Sequence, residues 1–154
     1  MNRPAQLSVI ASLALLQLGG TACIRRVHCV VAINVSGEVN ARSPIPFDLV
    51  AANDKDLVKE LSKMTAADWF QKRAQIGRDF PDQHALLVKE WEWVPGQVVP
   101  DVKFSMTTAP RLLIAFANYN TPGPHRAKID PKSHVLIQLD REDFQLSPLK
   151  GEKK

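Results

Sequence analysis

The chain has 154 residues, 45% of them hydrophobic, and carries 20 Lys and Arg against 16 Asp and Glu for a net charge of +4. That length fits one domain around a single core, and so mild a basic excess, densest in the tail Lys150-Gly151-Glu152-Lys153-Lys154, is no nucleic-acid footprint. Two cysteines allow at most one disulfide, and the four histidines show no His-x-x-His or Cys-x-x-Cys spacing that would gather a zinc ion, so neither a metal nor a cofactor is expected.

Arg3 is the only charge before an apolar run from Leu7 to Leu18, the pattern of a secretory signal. The run is too short to cross a bilayer, which takes roughly 20 apolar residues. The following Leu18-Gly19-Gly20-Thr21-Ala22-Cys23 resembles the processing site of bacterial lipoproteins, in which the cysteine becomes the first mature residue and carries a diacylglycerol on sulfur. Those signals place a large aliphatic residue where Gly20 stands. The alternative is ordinary small-x-small cleavage after Ala22, releasing a soluble protein. Ile24 in place of Asp after the cysteine favours, in lipoproteins of this kind, the outer membrane. The expected organisation is a signal peptide over 1–22, a lipid-anchored domain over 23–147 and a flexible tail over 148–154. A Cys23–Cys29 bridge conflicts with geometry, because six extended residues span about 20 Å while bridged Cα atoms lie within about 7 Å. Cys29 reads as a small buried hydrophobe.

Val27, Cys29, Val31, Ile33 and Val35 alternate with His28, Val30, Ala32 and Asn34, which predicts a strand with one wholly apolar face. Turn formers from Ser36 to Pro44 interrupt it, and Ile45, Phe47, Leu49 and Ala51 resume the alternation with Pro46 near the strand start. The period then becomes helical at Leu57, Val58, Leu61 and Met64. Thr65-Ala66-Ala67-Asp68 has the form of a capping box opening a second helix with Trp69, Phe70 and Ile76. Leu61, Met64, Trp69 and Phe70 would bury this insert against one end or face of the sheet. Leu86 to Val94 reads as a half-exposed strand, with Trp91 and Trp93 inward and Glu90 and Glu92 outward, stopped by Pro95-Gly96. Leu112 to Ala117 is apolar on both faces and predicts a central strand. After a turn-rich stretch from Asn118 to Pro131, Val135, Ile137 and Leu139 alternate, and Phe144-Gln145-Leu146 forms a last short strand. Five or six strands with one helical insert and no strand-helix alternation predict an antiparallel sandwich.

Few residues suggest chemistry. Glu90 and Glu92 are the one close carboxylate pair on a strand, and paired carboxylates are what glycoside hydrolysis needs. Two glutamates on a solvent face also serve as a solubilising edge, and Trp91 and Trp93 serve equally as core aromatics. No nucleophile elbow, phosphate loop or dinucleotide fingerprint is present. The stretch Asn118 to Arg126 mixes donors, acceptors and an aromatic on a long loop, where function often resides.

The order of these elements, with Asn40-Ala41-Arg42-Ser43-Pro44 before the second strand, Pro95-Gly96-Gln97 as a turn and Ile114-Ala115-Phe116-Ala117 as an apolar strand, resembles the TssJ/SciN family. Its members are outer-membrane lipoproteins of the type VI secretion system. The resemblance covers residues 23–147 and departs at Leu49-Val50-Ala51-Ala52, where the family is commonly aromatic. It implies a transthyretin-like β-sandwich with added helices, no catalysis, lipidation at Cys23, and a tether on the periplasmic leaflet of the outer membrane. It also implies binding to the periplasmic domain of the inner-membrane component TssM through Gly37, Glu38, Val39, Asn40, Ala41 and Arg42. A glycan-binding or glycan-cleaving lipoprotein using Glu90, Trp91, Glu92 and Trp93, or a pilotin of another secretion channel, is the alternative.

Overall fold

The computed structural model of the protein describes residues 27–106 and 108–149. The expected signal peptide 1–22, Cys23 and most of the expected tail lie outside the described residues. Eight strands are present among those described: β1 (Val27–Val35), β2 (Ile45–Ala52), β3 (Leu86–Trp93), β4 (Val102–Met106), β5 (Leu112–Ala117), β6 (Arg126–Ile129), β7 (Val135–Leu139) and β8 (Phe144–Pro148). They form two four-stranded sheets, ordered β4-β1-β7-β8 and β3-β2-β5-β6. The expected sandwich with a helical insert is therefore the fold. Every pairing is antiparallel except β1 with β7, which run parallel from Val31↔Val135 to Val35↔Leu139.

The alternation read from the sequence is what brings the sheets together. Cys29, Val31, Ile33 and Val35 of β1 meet Phe47, Leu49 and Ala51 of β2, together with Phe104, Leu113, Ile137, Leu139 and Phe144, in one buried cluster. Each large apolar side chain so enclosed contributes about 1.5–3 kcal/mol. Cys29 is fully buried. Burial, and secondarily the charge of Asp130, pushes its thiol above the usual range, so it stays protonated and unreactive, as a core residue should.

The insert comprises two helices, α1 (Lys55–Leu61) and α2 (Ala66–Asp79). Asp54 caps α1 by accepting from the N–H groups of Asp56 and Leu57, and Thr65 with Asp68 forms the expected capping box on α2. Each such cap is worth about 1 kcal/mol. Leu57, Leu61, Met64, Trp69 and Ile76 cover Val50, Ala52, Leu112, Ile114 and Phe116 in a second buried cluster. β2 and β5 thus lie between two apolar layers, which explains why β5 is apolar on both faces.

This second layer encloses a polar group that strand alternation points away from the inter-sheet core. Asp48 is fully buried; its carboxylate accepts from Trp69 Nε1 at 2.8 Å and from Arg73 Nη1 at 2.8 and 3.1 Å. Trp69 also stacks on Phe116, with ring centroids 5.3 Å apart and planes at 12°.

Three features differ from the sequence reading. The parallel β1–β7 pair departs from the wholly antiparallel sandwich expected, and the loop between β1 and β2 carries the chain from one sheet to the other. β4 and β6 have no counterpart in the predicted elements. β4 is five residues, Val-Lys-Phe-Ser-Met, and β6 is four, Arg-Ala-Lys-Ile; each alternates apolar with polar side chains at period two, but the runs are so short and so closely flanked by turn formers that they do not stand out as strands.

Candidate functional site

Four connections converge at one end of the sandwich: 36–44 after β1, 94–101 after β3, 118–125 after β5 and 140–143 after β7. Hydrogen bonds join them. Ser36 N–H donates to Leu139 O at 2.9 Å, Gly96 N–H to Ser36 O at 3.1 Å, and Ala41 N–H to Arg141 O at 3.3 Å. Asn120 N–H donates to Asn40 Oδ1 at 2.7 Å, while Asn40 Nδ2 donates to Pro44 O at 3.0 Å. Tyr119 Oη donates to Asp143 O at 2.9 Å, and Thr121 Oγ1 to Glu142 O at 2.8 Å. Val27 stands at the opposite end of β1, a nine-residue strand that covers about 30 Å at 3.3 Å per residue.

Within the first connection, Val39–Arg42 coils into one short turn. Asn40, Ala41 and Arg42 have φ of +47°, +53° and +66°, so the turn is left-handed and not an ordinary helix. Left-handed backbone costs roughly 1–2 kcal/mol per residue for L-amino acids, least for Asn. The hydrogen bonds of Asn40 and the Ala41–Arg141 bond hold it in place. Asn40 is 3% exposed and Val39 fully buried, so these two of the six residues expected to meet a partner support the loop from beneath. Gly37, Ala41 and Arg42 are exposed and Glu38 half-buried. Arg42 Nη2 lies 2.8 Å from Glu38 Oε1, and Arg141 Nη1 lies 3.3 Å from Glu38 Oε2. The Arg42 guanidinium first, then Arg141, holds the Glu38 carboxyl below the usual range.

The third connection, singled out in the sequence for its mixture of donors and acceptors, is locked by His125. Its ring is buried, with Nδ1 3.0 Å from Asp143 Oδ1 and Nε2 2.8 Å from Thr121 O. A Cβ on Gly123 would sit 2.6 Å from that ring, so the close approach admits only glycine there. Burial first, then the charges of Asp143 and Asp140, raises the Tyr119 phenol beyond its usual range and keeps it a donor. Sequence reading marked 37–42 and 118–126 separately. In the β3–β4 connection Pro95-Gly96 signals a turn but not its meeting with the other loops, and Arg141 to Asp143 carry no local signal.

The residues of the glycan reading are arranged otherwise. Trp93 is buried, and Trp91 stacks on it with centroids 5.9 Å apart and planes at 17° while packing against the inter-sheet core. Glu90 pairs with Arg73 at 3.4 Å. Pro46, Arg73, Glu90, Trp91 and Glu92 line a shallow, open depression of about 320 Å³. Trp93 is committed to the core, whereas the half-buried Trp91 stacks on Trp93 and leaves only part of its ring to line that depression. Among the described residues no group of three or more His, Cys, Asp or Glu side chains comes together as a metal site.

No protein-family profile and no curated protein matches the sequence. Solved structures do. The type VI secretion lipoprotein TssJ1 of Pseudomonas aeruginosa superposes with a TM-score of 0.59 at 16% identity, over 83% of this chain and 100% of that one. Lip of Serratia marcescens, a membrane-bound component of the type VI secretion system, gives 0.55 at 14%, over 80% and 97%. A chain in the structure of the TssM C-terminal domain (869–1107) from EAEC gives 0.52 at 12%, over 80% and 98%. At these identities the likeness is one of fold: the chain has the sandwich of the TssJ and Lip lipoproteins across nearly their full length.

Proposed function

We propose that the chain is a non-enzymatic lipoprotein that helps anchor the trans-envelope complex of a type VI secretion system. In this reading residues 1–22 are removed as a signal peptide, and lipid on Cys23 holds the protein to the periplasmic leaflet of the outer membrane. The four-loop end binds the periplasmic domain of the inner-membrane component TssM. The observation that carries the reading is the polarity of the sandwich. Residue 27, four positions after the proposed lipid site, lies at one end, and all four cross-linked connections lie at the other. A domain so oriented presents its loops away from the outer membrane, toward a component reaching up from the inner one. The shared fold with TssJ1 and Lip supports the secretion assignment, and the likeness to a chain in a TssM structure supports the partner.

Charge reversal tests the loop contribution. Glu38→Lys places a third cation beside Arg42 and Arg141, and Arg42→Glu sets two carboxylates together; like charges within this distance repel. Each reversal is expected to weaken binding of the full chain to the TssM periplasmic domain about tenfold, equivalent to 1.4 kcal/mol, as measured by calorimetry. Unchanged affinity in both variants would remove Glu38 and Arg42 from the interface. A wild-type chain without affinity for TssM would remove the partner.

A further inference from the structure

Val98 is 91% exposed and Val94 49% exposed, and these are the exposed large hydrophobic residues among those described. Both stand on the β3–β4 connection, at the loop end. The connection is a built turn, not a loose strap. Gly96 takes φ +72° at its tip. Val94 N–H donates to Gln97 Oε1 at 3.1 Å, Gln97 N–H returns to Val94 O at 3.1 Å, and Val98 bridges to Asn34 of β1. From Val94 to Pro100 the segment carries no charge. The neighbouring β1–β2 loop offers less than its composition suggests, because Val39 and Asn40 turn inward and Glu38 is already shared between two arginines.

We infer that the arm Val94–Val98 is the affinity-determining part of the loop-end surface, and that it fits a protein partner presenting an uncharged apolar patch. The inference rests on the reading of the loop end as the TssM-binding surface, with which the arm is continuous through the Gly96–Ser36 hydrogen bond. Two physical points fix the chemistry of the partner. Apolar groups exposed in a rigid turn gain most from burial against other apolar groups, and a charged or polar counter-surface would be desolvated there without a partner for its hydrogen bonds. A bilayer is a poor occupant, since the arm lies at the end of β1 about 30 Å from Val27. In the β1–β2 loop, by contrast, an exposed ion pair gives little net energy.

The test is the affinity of the full chain for the TssM periplasmic domain in the wild type, Val98→Asp, Val98→Ser and Val98→Ile, with sedimentation of each variant alone. Val98→Asp is expected to weaken binding tenfold to a hundredfold, on the order of losing one buried valine. Val98→Ser is expected to weaken it less, and Val98→Ile to retain it, all at unchanged melting temperature because the exposed side chain has few neighbours to lose. Wild-type affinity in Val98→Asp and Val98→Ser overturns the arm alone. Self-association of the wild type that Val98→Asp abolishes, with TssM binding intact, overturns it in favour of a second copy of the chain. Absence of wild-type binding overturns the partner reading and the arm together.

Discussion

Trp69→Ala lowers the unfolding free energy by about 3–5 kcal/mol, the largest stability loss expected of any single change in the insert. Trp69 is fully buried, and its removal empties the space between α2 and β5 where the indole stacks on Phe116. It also strips Asp48 of one of its two partners. Domains of this size are stable by only about 5–15 kcal/mol, so the variant should approach the threshold of folding. Asp48→Ala, from the other side of the same contact, should cost about 1–3 kcal/mol by orphaning the buried indole N–H. The loss is no larger because Arg73 is one-third exposed and keeps Glu90 at 3.4 Å. Guanidinium unfolding measures both, with the midpoint falling at constant slope if the native fold is retained.

Asp48 also has a pH signature opposite to that of most paired carboxylates. Burial raises its carboxyl above the usual range more than the bonds from Arg73 and Trp69 and the Arg73 charge lower it. The folded state therefore binds the proton at a pH where the unfolded chain has released it. The stabilisation from this group is fully present below the unfolded pKa and is lost as pH rises through the folded pKa. The stability difference between wild type and Asp48→Asn should shift in favour of the wild type as pH falls through that window. A difference that moves the other way would mean that Arg73 and Trp69 outweigh burial.

The second large effect is on location. Under the proposed lipidation, Cys23→Ser moves the protein from the membrane to the soluble fraction. Each buried methylene of an acyl chain contributes about 0.8 kcal/mol, and stable anchoring takes more than one chain; without the acceptor sulfur there are none. The buried, protonated Cys29 supplies an internal standard. The sequence holds two cysteines, so a lipidated protein unfolded in denaturant exposes a single reactive thiol, and a protein cleaved after Ala22 without acylation exposes two. Two thiols in wild-type protein extracted from membranes would contradict lipidation at Cys23.

Much of the sandwich is legible because its signals are local. The period-two runs at Cys29–Val35 and Ile45–Ala51, the two-faced apolar run Leu112–Ala117 and the Thr65–Asp68 capping box each declare themselves within a few residues. What is not legible is set by distant partners. Asp48 alternates away from the inter-sheet core and so reads as solvent-facing; only the return of α2, which brings Trp69 and Arg73 over β2, makes it a buried carboxylate. Asn40 reads as an ordinary loop residue, yet its role depends on Asn120, 80 positions later. The parallel pairing of β1 with β7 follows from the chain changing sheets between them, a choice that no short pattern encodes. The candidate surface was half visible for the same reason: 37–42 and 118–126 stand out in the sequence, whereas Pro95-Gly96 reads only as the end of a strand and 140–143 only as a charged connection, and both matter through where they meet the first pair.

The claim on which the rest depends is that a TssM partner engages the four-loop end and not the end nearer the lipid. Photo-crosslinking from single introduced positions in cells measures this directly, using Ala41 on the left-handed turn and Lys132 on the β6–β7 connection at the far end, both exposed. A TssM adduct is expected from position 41 and none from position 132. An adduct from 132 with none from 41 would contradict the claim.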